Sequence, residues 1–149
     1  MTTISTRGRV SPEMYLVDTN VISEARKGTK TNPGVVQFFR STLAADRYLS
    51  VQTIGEIRRG IENIRRRGDQ EQAARLAAWL DVVLGEYANR ILSFDCDCAQ
   101  VWGRLISPQA SNPIDKQIAA IALIHGLVVV TRNVNDFSAT GASLLNPFA

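Results

Sequence analysis

Residues 14–20 read MYLVDTN, and this stretch indicates the fold of the 149-residue chain. Its first four residues are apolar or aromatic, as expected of a short strand that is buried on both faces of a parallel sheet. The strand stops at Asp18, where a carboxylate, a hydroxyl and an amide follow in succession. Open α/β sheets keep their ligand crevice at the carboxyl ends of the strands. We therefore expect Asp18 to be the first ligand of a metal site on which other acidic residues converge.

The composition is that of one globular domain. The chain is 45% hydrophobic and 21% charged, proportions that argue against a disordered or fibrous protein. Its net charge of +3 permits a nucleic-acid partner without requiring one. We expect residues 14–149 to form a single domain and residues 1–13 to be a flexible N-terminal extension. Because that extension lacks the apolar middle of a secretory signal, the expected location is cytoplasmic.

Segments with strand and helix periodicity alternate along the rest of the chain. Strands are predicted at residues 47–51, 90–94 and 127–131, with a short edge strand at 143–145. Two long helices between residues 53 and 89 are predicted to form a helical hairpin. The alternation predicts a three-layer α/β/α fold with a central, mostly parallel sheet of four to five strands. In such a fold the strand ends and the starts of the connecting helices share one crevice.

Four acidic residues are predicted at that carboxyl edge. Asp18 and Asp136 follow predicted strands, whereas Glu56 and Asp115 occupy the first turns of predicted helices. Carboxylates gathered in this way repel one another unless a cation holds them. Ligand sets made of oxygen alone suit Mg²⁺ or Mn²⁺. The pattern therefore predicts a divalent metal site.

Each acid also has an explanation that needs no metal. Glu56 and Asp115 lie in segments that match or approach a capping box, in which the acid satisfies helix amides. Asp18 would cap the helix after it, and Asp136 would be an ordinary turn residue. Asp95 follows a strand as well, but its position favours an N-cap for the next helix. The gathering of four acids at one edge favours the metal site over four separate caps and turns.

Four motifs in this order and spacing resemble the PIN-domain family, in particular the VapC-type toxins of toxin–antitoxin pairs and their FitB-like relatives. The motifs are DTN at residues 18–20, TIGEI at 53–57, PID at 113–115 and TRNVNDF at 131–137. The resemblance extends from Met14 to the C-terminus and includes the NPF tail. It implies an endoribonuclease, a hydrolase that depends on Mg²⁺ or Mn²⁺. It further implies a homodimer that a cognate antitoxin inhibits by blocking the site, and a larger complex with antitoxin on DNA.

The resemblance also assigns roles to residues. It makes Asp18 and Asp115 the principal metal ligands and Glu56 a third acid. Many relatives carry an acid directly after Thr-Arg, where this chain has Asn133. Either Asn133 holds a metal-bound water, or Asp136 reaches the site from the next turn. The groups expected to orient the acids are Thr19, Asn20 and Thr131.

The chemistry expected of such a site is attack of a metal-bound water on an RNA phosphodiester. Glu56 or Asp136 would orient that water. The sole histidine, His125, is predicted at the far end of its helix, so no histidine acid–base pair is expected there. The candidates for contact with the RNA backbone are Arg58, Arg59 and Arg132, and each of them is also a candidate antitoxin contact or a solvated charge.

Two other functions stay open from the residues alone. The first is a haloacid-dehalogenase-like phosphatase with Asp18 as nucleophile, although such enzymes normally carry a second aspartate where this chain has Asn20. The second is a module without catalytic activity whose acids bind a basic partner. The helical hairpin at residues 53–89 is the expected surface for an antitoxin.

Overall fold

A five-stranded parallel sheet lies at the centre of residues 13–149, the part of the chain that this computed structural model describes. The predicted N-terminal extension lies outside the described residues except for Glu13. The strands are β1 (Tyr15–Val17), β2 (Arg47–Ser50), β3 (Ile91–Leu92), β4 (Val128–Val130) and β5 (Leu144–Leu145). The α-helices are α1 (Thr19–Ala25), α2 (Pro33–Ser41), α3 (Val51–Arg66), α4 (Gln70–Glu86), α5 (Cys96–Ile106), α6 (Pro113–His125) and α7 (Val134–Phe137).

The strand order is β3-β2-β1-β4-β5, and every neighbouring pair is parallel. The chain builds outward from β1 in one direction through β2 and β3, and in the other through β4 and β5. The order therefore reverses between β1 and β4, which is where open α/β sheets form their ligand crevice. The prediction of a mostly parallel sheet of four to five strands is confirmed.

The two faces of the sheet are covered by different helices. Successive side chains of a strand point to opposite faces, and Leu16 and Val129 accordingly pack with buried residues of α5, α6 and α7. Val17 and Val130 pack on the other face with buried residues of α1 to α4. All four of these strand side chains are 0% exposed. The predicted α/β/α layering is confirmed.

The start of α3 differs from the prediction. Strand β2 ends at Ser50 and the helix begins at Val51, two residues earlier than the sequence pattern suggested. Ser50 caps the helix, because its side-chain oxygen accepts a hydrogen bond from the Thr53 amide at 3.2 Å. The capping-box interpretation of Thr53 and Glu56 is therefore wrong: Thr53 is already inside the helix, and Glu56 lies in the second turn.

Other local signals match the structure. Asp69 caps α4 through the amide of Gln72 at 3.1 Å, and Gly126 ends α6 with a φ of 67°, a conformation that glycine adopts without strain. Pro33 is the first residue of α2, as its fixed φ favours. No helix among residues 13–149 combines the length and the apolar character that crossing a membrane requires.

Candidate metal centre

Asp18 lies at the carboxyl end of β1 and is only 4% exposed. One carboxylate oxygen, Oδ1, accepts a hydrogen bond from the Thr19 amide at 2.8 Å, so Asp18 does cap α1. The other oxygen, Oδ2, accepts a hydrogen bond from the Thr131 hydroxyl at 2.8 Å and another from the side-chain amide of Asn20 at 3.2 Å. Burial raises the pKa of Asp18 although these three hydrogen bonds lower it. The carboxylate is thus fixed in orientation while it is kept from bulk water.

Thr19 links Glu56 to Asp18, because its backbone amide donates to Asp18 and its hydroxyl bonds Glu56. That hydroxyl donates to Oε1 of Glu56 at 2.6 Å, and its oxygen is 3.1 Å from the buried hydroxyl of Thr53. Partial burial raises the pKa of Glu56, and so does the negative charge of Asp18, whereas the Thr19 bond and the charge of Arg59 lower it. A role for Thr53 in the site was not predicted, although its spacing of three residues from Glu56 places both side chains on one helix face.

Asp115 lies in the first turn of α6 and faces the same region. Burial, together with the negative charges of Asp18, Asp136 and Glu56, raises the pKa of Asp115 to about 6. Within residues 13–149, Asn112 makes no side-chain cap hydrogen bond to this helix, and its backbone is left-handed with a φ of 52°. The capping-box alternative for Asp115 is therefore not seen. We call Asp18, Glu56, Asp115 and Asp136 the acidic cluster.

Two exposed side chains, Asn133 and Asp136, are candidates for the fourth position of the site, after Asp18, Glu56 and Asp115. Asn133 precedes α7, and its amide donates to the Thr131 hydroxyl at 3.0 Å. Asp136 lies inside α7, and its amide donates to the carbonyl of Asn133 at 3.0 Å. The negative charge of Asp136 raises the pKa of Asp115, whereas Asn133 carries no charge.

The donor chemistry of the acidic cluster fits a hard divalent cation, because its candidate ligand atoms are all carboxylate oxygens, and because burial and the neighbouring negative charges raise the pKa of Asp115. The carboxyl groups are more widely spaced than the ligands of a metal site formed by protein side chains alone. Across residues 13–149, no three side chains of the types His, Cys, Asp and Glu lie close enough together to hold an ion by themselves. The acids nevertheless raise the pKa of Asp115, because electrostatic repulsion acts over longer distances than metal coordination.

Asp95 and His125 lie away from the acidic cluster. Asp95 caps α5 through the Cys98 amide at 3.0 Å, as predicted. The indole of Trp102, later in α5, donates to the carbonyl of Pro113 at the start of α6. His125, at the other end of α6, is close enough to Asp95 to lower its pKa. Helix α5 thus runs opposite to α6, which places its cap far from Asp115.

The three candidate arginines differ in their surroundings. Arg58 is 3.6 Å from the carboxylate of Glu62 within α3. The charge of Arg59 acts on Glu56 at the acidic cluster. The amide of Arg132 donates to the side-chain oxygen of Asn20 at 3.0 Å, and its guanidinium lies 4.0 Å above the ring of Phe148.

Comparison with known proteins places this arrangement in a family. The model of the PIN domain matches residues 15–142. A VapC ribonuclease of Sinorhizobium fredii is 32% identical over 144 residues, which cover 91% of this chain and 98% of that protein. Toxin FitB of Neisseria gonorrhoeae is 32% identical over 143 residues, which cover 91% of this chain and 99% of FitB.

The likeness holds in three dimensions. A solved structure of FitAB bound to a DNA fragment contains a chain with a TM-score of 0.79 and 30% identity. The match covers 91% of this chain and 96% of that one. Because the family model spans most of the chain and two relatives exceed 30% identity over nearly their whole length, the chain belongs to the PIN-domain family.

Proposed function

We propose that the protein is a metal-dependent endoribonuclease that acts as the toxin of a toxin–antitoxin pair. The observation that carries the proposal is the acidic cluster at the crevice between β1 and β4, in which the pKa of Asp115 stands at about 6. The similarity to a VapC ribonuclease and to Toxin FitB supports the substrate class and the biological role. The phosphatase alternative has no support from these relatives.

Asp18 and Asp115 are the residues that would hold the ion, with Glu56 as a third acid. Mg²⁺ usually keeps several waters and is bound through one or two protein carboxylates together with substrate phosphate, so a pair of aspartates suffices despite the open spacing. Mn²⁺ accepts the same oxygen ligands. When bound, such an ion supplies a water of lowered pKa and positive charge for the phosphate oxygens.

The surrounding side chains prepare these acids for their roles. Thr131 and Asn20 fix one oxygen of Asp18, and Thr19 fixes Glu56. Groups of this kind orient metal ligands and tune their basicity. With Oε1 engaged by Thr19, Glu56 retains Oε2 as an acceptor for the proton of an attacking water. For the fourth position we propose Asp136, because its charge already acts on Asp115.

Arg59 and Arg132 are the better candidates for contact with the RNA backbone. Arg59 lies one helical turn after Glu56, and its charge reaches the acidic cluster. Arg58 shares the carboxylate of Glu62 with Arg65, so part of its charge is neutralised within the helix. Arginine suits phosphate contacts because its planar guanidinium donates two parallel hydrogen bonds.

The antitoxin is proposed to occupy a groove between α1, α3 and α4. The apolar part of the groove is formed by Ile57, Ile61, Ile64, Leu76 and Trp79. Its walls also include Thr19 and Glu56, so a segment bound there would cover the proposed catalytic side chains. The FitAB structure supports a partner protein and an assembly on DNA. A homodimer and a cytoplasmic location complete the proposal.

The proposal is tested by incubating purified protein with single-stranded RNA and either Mg²⁺ or Mn²⁺. Cleavage that needs the ion and disappears in Asp18→Asn is the expected result. Turnover of a small phosphate monoester, without RNA cleavage, would establish the phosphatase instead. Binding of a basic partner without turnover of either substrate would establish a module with no catalytic activity.

A further inference from the structure

The C-terminal tail, residues 146–149, is built into the fold next to the proposed RNA-binding face. The side-chain oxygen of Asn32 accepts a hydrogen bond from the Ala149 amide at 3.0 Å, and the Asn32 amide group donates to the Ala149 carbonyl at 3.2 Å. The amide of Phe148 donates to the side chain of Asn146 at 3.0 Å. Phe148 itself packs against the core formed with α1 to α4. Both polar contacts and apolar packing therefore hold the tail in one place.

Gly34 shows how closely the tail fits. A Cβ atom at this position would lie 2.1 Å from the carbonyl oxygen of Pro147 and 2.7 Å from the amide nitrogen of Ala149. Such distances are impossible for real atoms, so a side chain here would displace the tail. The start of α2 needs glycine because the tail crosses it at this point.

Arg132 connects the tail to the acidic cluster. Its amide is bonded to Asn20, which also donates to Asp18. Its guanidinium, in contrast, lies 4.0 Å over the ring of Phe148, and its charge acts on Glu24 at the other end of α1. The guanidinium is therefore held beside the cluster and not directly over it.

We propose that Phe148 is a positioning residue that holds the guanidinium of Arg132 ready for a phosphate of the RNA strand next to the one that is cleaved. This inference rests on the proposed ribonuclease function. A guanidinium stacked on an aromatic face keeps the donors along its edge available for a phosphate. Holding the long side chain in place before RNA arrives lowers the entropy cost of binding. A phosphate that neighbours the scissile one adds to binding and has little effect on the chemical step.

The test measures RNA affinity without cleavage, with all variants placed in an Asp115→Asn background. Single-stranded RNA carrying a fluorophore is titrated with protein, and Kd is read from anisotropy. Phe148→Ala is expected to weaken binding about threefold, the value of an exposed cation–π contact. Arg132→Ala is expected to weaken binding about tenfold and to reduce the slope of log K against log salt by about 0.7, as for one phosphate contact on a single strand.

Three further variants separate positioning from a merely structural role. Phe148→Tyr keeps the aromatic face and is expected to have the same Kd as the parent Asp115→Asn protein. Gly34→Ala displaces the tail without changing either partner of the stack, and should reproduce the effect of Phe148→Ala. Arg40→Ala removes a positive charge that is also exposed, at the far end of α2, and is expected to leave Kd unchanged.

The decisive measurement is the double variant. If Phe148 acts through Arg132, then Phe148→Ala added to Arg132→Ala has no further effect on Kd, whereas independent effects would multiply. Multiplied effects, or an unchanged Kd for Phe148→Ala alone, overturn the inference. In the protein with Asp115 restored, KM should follow Kd while kcat stays within about twofold. Failure of the proposed function looks different, because then the unmodified protein does not cleave RNA with either ion.

Discussion

Asp18 and Asp95 occupy equivalent positions in the sequence, since each follows a strand and caps the next helix, but their surroundings are opposite. Asp18 is 4% exposed and burial raises its pKa. Asp95 is exposed, and the hydrogen bond from the Cys98 amide lowers its pKa. An N-cap hydrogen bond therefore does not distinguish a structural carboxylate from a candidate metal ligand. The distinction lies in the groups that other parts of the chain bring to it.

The difference arises from the positions of the two strands in the sheet. β1 is central, and the strand order reverses beside it, so residues following β4 and residues beginning α3 and α6 converge on Asp18. β3 is an edge strand, and after it the chain turns back so that α5 starts near His125. Acidic residues therefore surround Asp18 at the end of the central strand β1. Asp95, after the edge strand β3, caps its own helix instead.

The largest expected effect comes from making the same substitution at both positions. Asp18→Asn should lower RNA cleavage about 1000-fold or more, because it removes a ligand of an ion whose contribution amounts to several kcal/mol. Asp95→Asn should leave cleavage within about twofold, since asparagine caps helices as well as aspartate does. The measurement is kcat/KM with Mn²⁺ present. Equal loss in both variants would contradict the assignment of Asp18.

Metal binding should stabilise the protein only through the acidic cluster. At an Mn²⁺ concentration of about 100 times Kd, the free energy of unfolding should rise by about 2.7 kcal/mol. Urea denaturation with Mn²⁺ and with a chelator measures this increase. The increase should vanish in Asp18→Asn and persist in Asp95→Asn. A gain that survives in Asp18→Asn would place the ion elsewhere on the protein.

A smaller effect is expected at the Thr19 hydroxyl, which orients Glu56. Thr19→Val removes the hydrogen bond to Glu56 while it keeps the size and branching of the side chain. Loss of a group that orients a catalytic carboxylate typically costs 10-fold to 100-fold in activity, and we expect about 10-fold in kcat. Thr31→Val is the matched control, because that hydroxyl bonds the Glu24 carbonyl, away from the acidic cluster. An unchanged kcat for Thr19→Val would exclude a role for this contact.

The smallest expected effect is the pH dependence contributed by Asp95. Its pKa in the folded protein lies below the ordinary value of 3.8, so the unfolded chain binds more protons between those two values. The stabilisation is therefore present above pH 3.8 and is lost as the pH falls through the folded pKa. Urea denaturation at pH 5 and at pH 2.5 should show the advantage of wild type over Asp95→Asn shrinking at the lower pH. An advantage that grows there would contradict the direction of this shift.

The sequence was sufficient for most local features but not for the details of the site. The cap at Asp95 and the strand before Asp18 were both predicted, because each depends on a few adjacent residues. The alternative in which Glu56 is part of a capping box was wrong, and so was its expected place in the first turn of the helix. Its helix starts two residues earlier than expected, which turns Glu56 toward Thr19 on a different element.

The sequence by itself determined that apolar strands alternate with helices and that acids stand at the strand ends. These features follow from spacing along the chain, which fixes which side chains share a face. Only the tertiary structure decided that Thr131 bonds Asp18, 113 residues away in the sequence, and that the guanidinium of Arg132 stacks on Phe148 of the tail. Those contacts depend on strand order and on the direction of each helix. Strand order and helix direction cannot be predicted from a short stretch of sequence, because both depend on how the whole chain buries its apolar faces.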